Sequence, residues 1–336
     1  MSLLTAPRNA AAFLALAFWQ VIVPADARAQ SAWLPGDGEG SLSVIFQNLN
    51  FGGHFDEHGV KLEGAVPSRA FVGIAAVEYG LTDRLAFTAR LPYLASKFTG
   101  GHDEPVTNFL RARYEEFRRA NPDAAVTNLD TGQYYATFQD FNFTLRYNLV
   151  DRGVVVTPVI GVTIPSHHYR TVGEAASGQY LRALHAGVNV GLLLDPLLPD
   201  AYVHGRYTYS FVQRLVGIPM DRSSADFELG YAVTPTLAVR GLATWSHSHG
   251  GVPFSRAYED VELFLEHDRL LASRYWHLGG GASVSLTDSL DLDAAVVTFL
   301  SGSDTHYGIG MTVGLTWRLL QGGAAQPAPH LALRRH

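Results

Sequence analysis

The chain has 336 residues, of which 47% are hydrophobic and 17% charged, with a formal net charge of −6. It contains no cysteine, which excludes disulfide bonds, thiolate catalysis and cysteine-ligated metal centres. The negative charge argues against a nucleic-acid partner, and the only lysines are Lys61 and Lys97, so that nearly all the positive charge is arginine.

The N-terminal stretch has the features of a secretory signal. Arg8 supplies a positive charge, and residues 10–23 form an apolar run that is shorter than the ~20 residues a transmembrane helix needs. A small-residue cleavage site ends at Ala29. We therefore predict a signal peptide over 1–29, with an uncleaved membrane anchor as the alternative, and a periplasmic N-terminal segment over 30–40.

Beyond residue 40 the polarity alternates with a period of two. In residues 140–148 every second side chain is aromatic or aliphatic and the others are polar, and the same pattern runs through 84–93, 203–211 and 306–319. Successive strand residues point to opposite faces, so each segment has one apolar and one polar face. With tyrosine and tryptophan clustered at segment ends, this pattern is typical of a transmembrane β-barrel in a bacterial outer membrane. A secreted β-sandwich or solenoid is the alternative.

Short turns alternate with longer connections along the chain. Turns are predicted near residues 81–84, 150–153, 195–200, 233–236 and 286–289, and longer connections at 51–68, 95–134, 165–179, 212–222, 247–273 and 301–305. These eleven connections join twelve strands, which predicts an all-β, antiparallel up-and-down barrel over 41–320, with ten or fourteen strands as alternatives. Residues 321–336 are expected to form a disordered C-terminal tail.

Two of the long connections carry helical spacing of apolar residues. In 109–120, Leu110, Tyr114 and Phe117 fall on one helical face, and 256–272 shows a similar stripe. We therefore predict helices in two long extracellular loops. They either decorate the rim of the barrel or cover its mouth.

The polar strand faces line the lumen if the apolar faces contact lipid. The lumen-lining candidates are Arg84, Arg90, Asp140, Arg146, His204, Arg206, Asp226, Glu228, Arg240, His277, Asp291, Asp293 and Arg318. Charges of both signs are interspersed, and a twelve-strand barrel lies between a side-chain-filled and a water-filled size. The pattern predicts either a narrow path for a small-molecule solute or a plugged structural or ligand-sensing barrel braced by ion pairs.

Histidines near the longer connections raise the question of metal binding and catalysis. His247 and His249 share one face of an extended segment and form a candidate metal-binding pair, with solvated loop histidines as the alternative. No third ligand accompanies them at a fixed spacing, so no metal or other cofactor is expected. Ser248 lies on the opposite face from His247, and no Gly-x-Ser-x-Gly motif occurs. The chain is not expected to be an enzyme, and a lipid-modifying outer-membrane enzyme is the remaining alternative.

Three stretches of the chain resemble a known family. They are 78–93, with Glu78-Tyr79-Gly80-Leu81-Thr82-Asp83-Arg84-Leu85 and a closing Pro92-Tyr93, then 140–147 and 158–165. Their order is similar to that in the outer-membrane β-barrel transporter family of the phenol meta-degradation pathway, although Gln139 stands where that family has glycine. The resemblance implies passive passage of small, hydrophobic or aromatic solutes through an outer-membrane barrel, with outer-membrane lipids as partners. It implies no binding residues and no oligomeric state.

Overall fold

A computed structural model describes residues 31–99, 132–171, 178–259 and 266–320, together with a few isolated positions. The predicted signal peptide and C-terminal tail lie outside the described residues, as does the helix predicted at 109–120 except for single helical positions. Among the residues described, no helix is long and apolar enough to cross a membrane.

Strands make up nearly all of the regular structure. Strands β1 to β14 span Gly40–Phe55, Lys61–Thr82, Leu85–Phe98, Tyr135–Phe138, Asp140–Tyr147, Val150–Arg152, Val154–Pro165, Ala183–Leu193, Ala201–Val212, Arg222–Ala232, Leu237–Ser248, Arg274–Thr287, Leu290–Ser303 and Thr305–Leu320. Two short helices lie between β11 and β12, and they span Phe254–Glu259 (α1) and His267–Leu270 (α2).

These strands form one closed antiparallel sheet. The first and last strands pair along their whole length, from Gly40↔Leu320 to Phe55↔Thr305. Because β4 and β5 both pair with β3, and β6 pairs with β7, the three pieces β4 to β6 act as a single interrupted barrel strand. The ring therefore has twelve strands, which confirms the predicted all-β barrel.

The outer surface of the barrel is apolar and the inner surface is covered. Along β14, Ile309, Met311 and Val313 are 41–49% exposed, whereas Thr312 and Thr316 between and beyond them are 8% exposed. Exposure of apolar surface to water costs about 25 cal/mol per Å² of free energy, whereas the same surface is stable in contact with lipid hydrocarbon. The strands are therefore membrane-spanning, and their outward side chains face lipid.

Two predicted long connections are much shorter in the structure. The connection predicted at 51–68 is reduced to 56–60, and the one predicted at 301–305 is reduced to Asp304. Residues 53–55 are all buried, because Phe254 of α1 packs on His54 and Tyr307 packs on Gly53 and Phe55. The alternation that marks a strand is lost there, so the sequence pattern ends the strand too early.

The helical pattern predicted over 256–272 corresponds to two short helices, α1 and α2, that are separated by a break. Helical residues start at Phe254, and Glu266 forms a turn before α2. The loop folds back so that Val252 N donates to Leu270 O at 2.7 Å and Ala272 N donates to Val252 O at 2.9 Å. A straight helix of this length would hold its ends about 25 Å apart at 1.5 Å per residue, so this closure requires the break.

Both lysines lie at the end of the barrel that carries the long connections. Lys61 Nζ lies 5.6 Å from the ring centroid of Phe55 and 5.2 Å from that of Tyr307. Lys97 Nζ lies 4.8 Å from the ring centroid of Tyr134. In outer-membrane barrels the long loops are extracellular and the short turns periplasmic, so this end faces outward from the cell.

Candidate functional site in the barrel lumen

The structure places the predicted lumen residues on inward-facing positions, with one exception. Buried members are Arg90, Arg146, His204, Glu228, His277 and Asp291, and partly buried members are Asp140, Arg206, Asp226, Arg240, Asp293 and Arg318. The exception is Arg84, which is exposed in the turn between β2 and β3, where its backbone N donates to Thr82 Oγ1 at 3.2 Å. Arg84 does not line the lumen because β3 begins only at Leu85.

Ion pairs join inward-facing residues toward the short-turn end. They are Glu78–Arg146, Arg240–Asp293 at 3.3 Å and Arg318–Asp291 at 2.5 Å. The first pair is the most deeply buried, with the Arg146 side chain fully covered. Glu78 is absent from the predicted set, although extending the alternation backwards from Gly80 would have reached it. Removing one partner of such a pair leaves an uncompensated buried charge.

Further along the lumen, the inward faces of β5 and of β7 to β10 form a polar wall that continues from Arg90 of β3. Arg206 lies within electrostatic range of Arg90 and Asp226. Its Nε donates to Thr208 Oγ1 at 3.1 Å, and Asp226 accepts from Thr244 Oγ1 at 2.9 Å. No ion pair is formed by Arg206 with any residue that the structure describes. Asp226, which lies directly across the strand pair, offsets part of the Arg206 charge, and Arg90 adds a second positive charge to this part of the wall.

The other side of the ring forms an apolar wall. Its residues come from β1, β2, β3, β11 and β13 and are Ile45, Leu49, Phe51, Ala70, Val72, Ile74, Leu94, Leu242, Ala295 and Val297, with Phe299 packed against them. The sequence pattern missed this wall because, over these stretches of the strands, apolar residues occur on both faces. Val44 and Phe46, for example, point outward between inward apolar residues.

Residues 31–39 turn into the barrel, whereas the sequence predicted a periplasmic segment over 30–40. We call them the inserted segment. Gly38 N donates to Gly80 O at 3.0 Å, beside the end of β2. A Cβ atom at Gly80 would collide with the carbonyl group of Gly36, so only glycine permits this approach. The glycine of the Tyr-Gly-Leu-Thr stretch therefore admits the inserted segment to the lumen.

The inserted segment is bound by side chains of the polar wall. Ser31 O accepts from Arg146 Nη1 at 2.7 Å and from Asn189 Nδ2 at 3.3 Å, and Ala32 O accepts from Thr157 Oγ1 at 2.6 Å. Ser31 and Ala32 are 6% and 0% exposed. The segment therefore crosses the lumen from β2 to the far wall, near the short-turn end.

Trp33 occupies a fitted position on that wall, which we call the Trp33 seat and define by Gly191, Tyr202 and His204. The indole meets Tyr202 edge to face, with ring centroids 5.9 Å apart, and lies 6.5 Å from the ring of His204. A Cβ atom at Gly191 would lie 2.8 Å from the indole, so this glycine makes the space. Tyr202 is held in turn by a hydrogen bond from its hydroxyl to Glu228.

The loop between β11 and β12 covers the opposite end of the barrel. Phe254 is buried, its N donates to Asp304 Oδ1 at 2.7 Å, and its ring lies 4.8 Å from that of His54. Arg269 Nε donates to Gln179 O at 2.5 Å, which ties this loop to the loop after β7. The sequence left open whether the helical loops decorate the rim or cover the mouth of the barrel. The loop between β11 and β12 covers the mouth.

Two buried groups in these loops have shifted pKa values. Burial raises the pKa of Asp304 to about 6, and the neighbouring carboxylates Glu57 and Asp56 add to the rise, whereas the Phe254 N–H and Arg274 oppose it. Burial and the negative charge of Asp140 raise the pKa of Tyr169, whose hydroxyl donates to Asp140 Oδ1 at 2.6 Å.

The histidine pair at the rim is engaged with other groups. The rings of His247 and His249 lie 5.0 Å apart, His249 Nε2 hydrogen-bonds Ser223 Oγ at 2.7 Å, and the His247 ring stacks on Trp245 at 5.9 Å. Within the described part of the chain, no group of three His, Cys, Asp or Glu side chains is placed to hold a metal ion. Ser248 is buried in the inward direction, away from His247.

Comparison with solved structures places this geometry among known barrels. The COG4313 outer membrane channel from Pseudomonas putida F1 matches 84% of this chain and 96% of its own, with a TM-score of 0.62 and 12% identity. The chain has the fold of an outer-membrane channel. The NanC porin matches 82% of this chain and 100% of its own at a TM-score of 0.46 and 10% identity. The Pseudomonas putida toluene transporter TodX matches 87% of this chain and 93% of its own, with a TM-score of 0.41 and 10% identity. No protein-family model and no curated protein matches the chain.

Proposed function

We propose that the protein is an outer-membrane channel for passive passage of small solutes that combine an apolar or aromatic part with a polar group. The observation that carries this proposal is the two-sided lumen, in which an arginine-containing polar wall faces an apolar wall. A solute with both kinds of surface contacts both walls at once. The resemblance to the phenol meta-degradation transporter family supports an aromatic solute, and the opposed directions of His247 and Ser248 support a non-enzymatic role.

A plugged, ligand-sensing barrel is the second candidate function. It is favoured by the inserted segment, whose Ser31 and Ala32 oxygens are bound by the polar wall, and by the ion pairs near the short-turn end. Both ends of the lumen are occupied in this conformation. Passage therefore requires displacement of the inserted segment and of the loop over the mouth.

Single-channel recording separates the two candidates. Protein refolded into planar bilayers, with folding checked by a heat-modifiable gel shift, is expected to give discrete conductance steps. Arg206→Glu is expected to move the reversal potential in a salt gradient toward cation selectivity, because it reverses a charge on the lumen wall. Arg152→Glu, in exposed β6, is the matched control and should leave the reversal potential unchanged. Folded protein that inserts and stays silent at all voltages would exclude the channel and favour the plugged barrel.

A further inference from the structure

The inserted segment contacts the lumen in the way a small ligand would. Its flat ring, the indole of Trp33, fills the Trp33 seat. Two oxygen acceptors, the carbonyl oxygens of Ser31 and Ala32, lie beside that ring and receive hydrogen bonds from the wall. These contacts use a side chain and two main-chain groups within three consecutive residues, which is the size of a small molecule.

The donors belong to the barrel strands and not to the segment. Arg146 is on β5, Thr157 on β7 and Asn189 on β8, and all three point into the lumen. When the segment leaves, the donors lose these acceptors and need water or another oxygen ligand in their place. The space in front of Gly191 is filled by the Trp33 indole and the Ala32 side chain, and it is vacated when the segment leaves.

The segment is attached by contacts that a solute can replace. Its charged residues, Asp37 and Glu39, do not reach the polar wall. Asp37 is exposed, and the Glu39 carboxylate accepts from Gly36 N at 2.9 Å within the segment itself. No described ion pair ties the segment to the strands. Gly38, with a φ of 71°, adopts the left-handed conformation that glycine permits at the junction between the segment and β1.

We infer that the Trp33 seat and its adjoining donors form a solute-binding site of the lumen, occupied in the closed state by the chain's own inserted segment. The ligand it takes is a planar ring that carries an oxygen acceptor, with an aromatic carboxylate as the best match. Binding of this ligand displaces the segment and opens the short-turn end. The inference rests on the proposed channel function.

The ligand class follows from the groups around the seat. A planar ring fits because Gly191 limits the thickness on one side, whereas Tyr202 presents its ring at 87° to the indole on the other. An oxygen acceptor fits because it replaces the Ser31 carbonyl on Arg146. Negative charge is favoured because Arg206 lies within electrostatic range of Arg146, whose own charge is paired with Glu78.

Cysteine labelling tests displacement directly, because the chain has no cysteine of its own. In refolded Ser31→Cys protein, the thiol replaces a buried side chain and should react slowly with a polar thiol reagent. Benzoate is expected to increase the labelling rate by about tenfold, since a segment seated for about nine-tenths of the time exposes the thiol for only the rest. Asp37→Cys, at an exposed position of the same segment, is the control and should label fast with or without benzoate.

The choice of probe tests the ligand class in the same experiment. Cyclohexanecarboxylate has the charge of benzoate without the planar ring, and acetate has the carboxylate alone. Neither should accelerate labelling of Ser31→Cys at the benzoate concentration used. An unchanged rate with benzoate, or an equal acceleration by cyclohexanecarboxylate, would overturn the inference.

Affinity measurements test whether segment and solute share one site. Trp33→Ala vacates the seat and is expected to bind benzoate about tenfold more tightly than the wild type, because a competing internal group is removed. Adding Gly191→Leu fills the seat and should return the affinity to the wild-type value or below. Trp245→Ala, which removes a tryptophan of the outer surface, is the matched control and should have no effect. Equal or weaker binding by Trp33→Ala would contradict a shared site.

The channel function and the solute-binding site can be disproved separately. If benzoate accelerates labelling while no variant conducts, the site stands and the channel function is wrong. If the wild type conducts while benzoate changes neither labelling nor affinity, the channel stands and the site is wrong.

Discussion

The polar and apolar walls of the lumen are stabilised by opposite means. The polar wall depends on specific partners, as Arg146 depends on Glu78 and on the oxygen of Ser31. The apolar wall depends on volume, since Leu49 and Leu94 are fully buried among other hydrocarbon side chains. In one barrel, therefore, the stability of the polar wall is sensitive to the loss of a single polar partner, and the stability of the apolar wall is sensitive to the loss of side-chain volume.

The largest expected effect comes from breaking the partner-dependent wall. Arg146→Met should lower the free energy of unfolding by about 3–5 kcal/mol, because it leaves Glu78 as an unpaired buried charge. Urea unfolding in lipid vesicles measures this loss. The double variant Glu78→Leu with Arg146→Met removes both charges and should recover most of the stability. A single-variant loss under about 1 kcal/mol would show that water compensates Glu78.

The volume-dependent wall is tested by deleting methyl groups. Leu49→Ala should lower the free energy of unfolding by about 2–5 kcal/mol, because the cavity left in a packed wall is only partly refilled. The same urea measurement applies. Val44→Ala on the lipid face of the same strand is the control, with a loss of about 1 kcal/mol or less. Equal losses at the two positions would mean that the inner wall is no better packed than the outer surface.

A smaller effect on stability is expected from pH, through Asp304, which binds the loop over the mouth at Phe254. The Asp304 carboxyl has a pKa of about 6, raised from 3.8 mainly by burial, so folded protein binds its proton more tightly than unfolded protein. The protonated Asp304 carboxyl therefore adds to the free energy of unfolding. This contribution is fully present below pH 3.8 and is lost as the pH rises through about 6. The temperature at which the heat-modifiable band disappears should therefore fall over this range. In the Asp304→Asn variant this temperature should fall less over the same pH range. An identical fall in the variant and the wild type would rule out Asp304 as the cause.

The difference between the walls also explains what the sequence could reveal. Residues 140–148 and β14 alternate clearly, because one face meets lipid and the other meets polar groups. The twelve-strand count follows from the turns and longer connections between such segments. The apolar wall carries no such contrast, since inward Ile45 lies between outward Val44 and Phe46. Its residues could not be assigned to the lumen by pattern alone.

The inserted segment was missed for a different physical reason. The oxygens that the wall binds, those of Ser31 and Ala32, are main-chain atoms that every residue carries. No side-chain pattern marks them, and Trp33 alone does not indicate a direction. The misplacement of Arg84 has a simpler origin, because the alternation was continued one residue into a turn.

The position of the two lysines gives the barrel a built-in marker of direction. Lys61 and Lys97 both lie at the long-connection end, against aromatic rings, and the chain has no other lysine. The lumen and the short-turn end therefore carry no side-chain amine at all. An acylating reagent that does not cross membranes will modify these two amines on intact cells only if that end faces the medium. The orientation of the barrel in its membrane can thus be read by mass spectrometry of the unaltered chain.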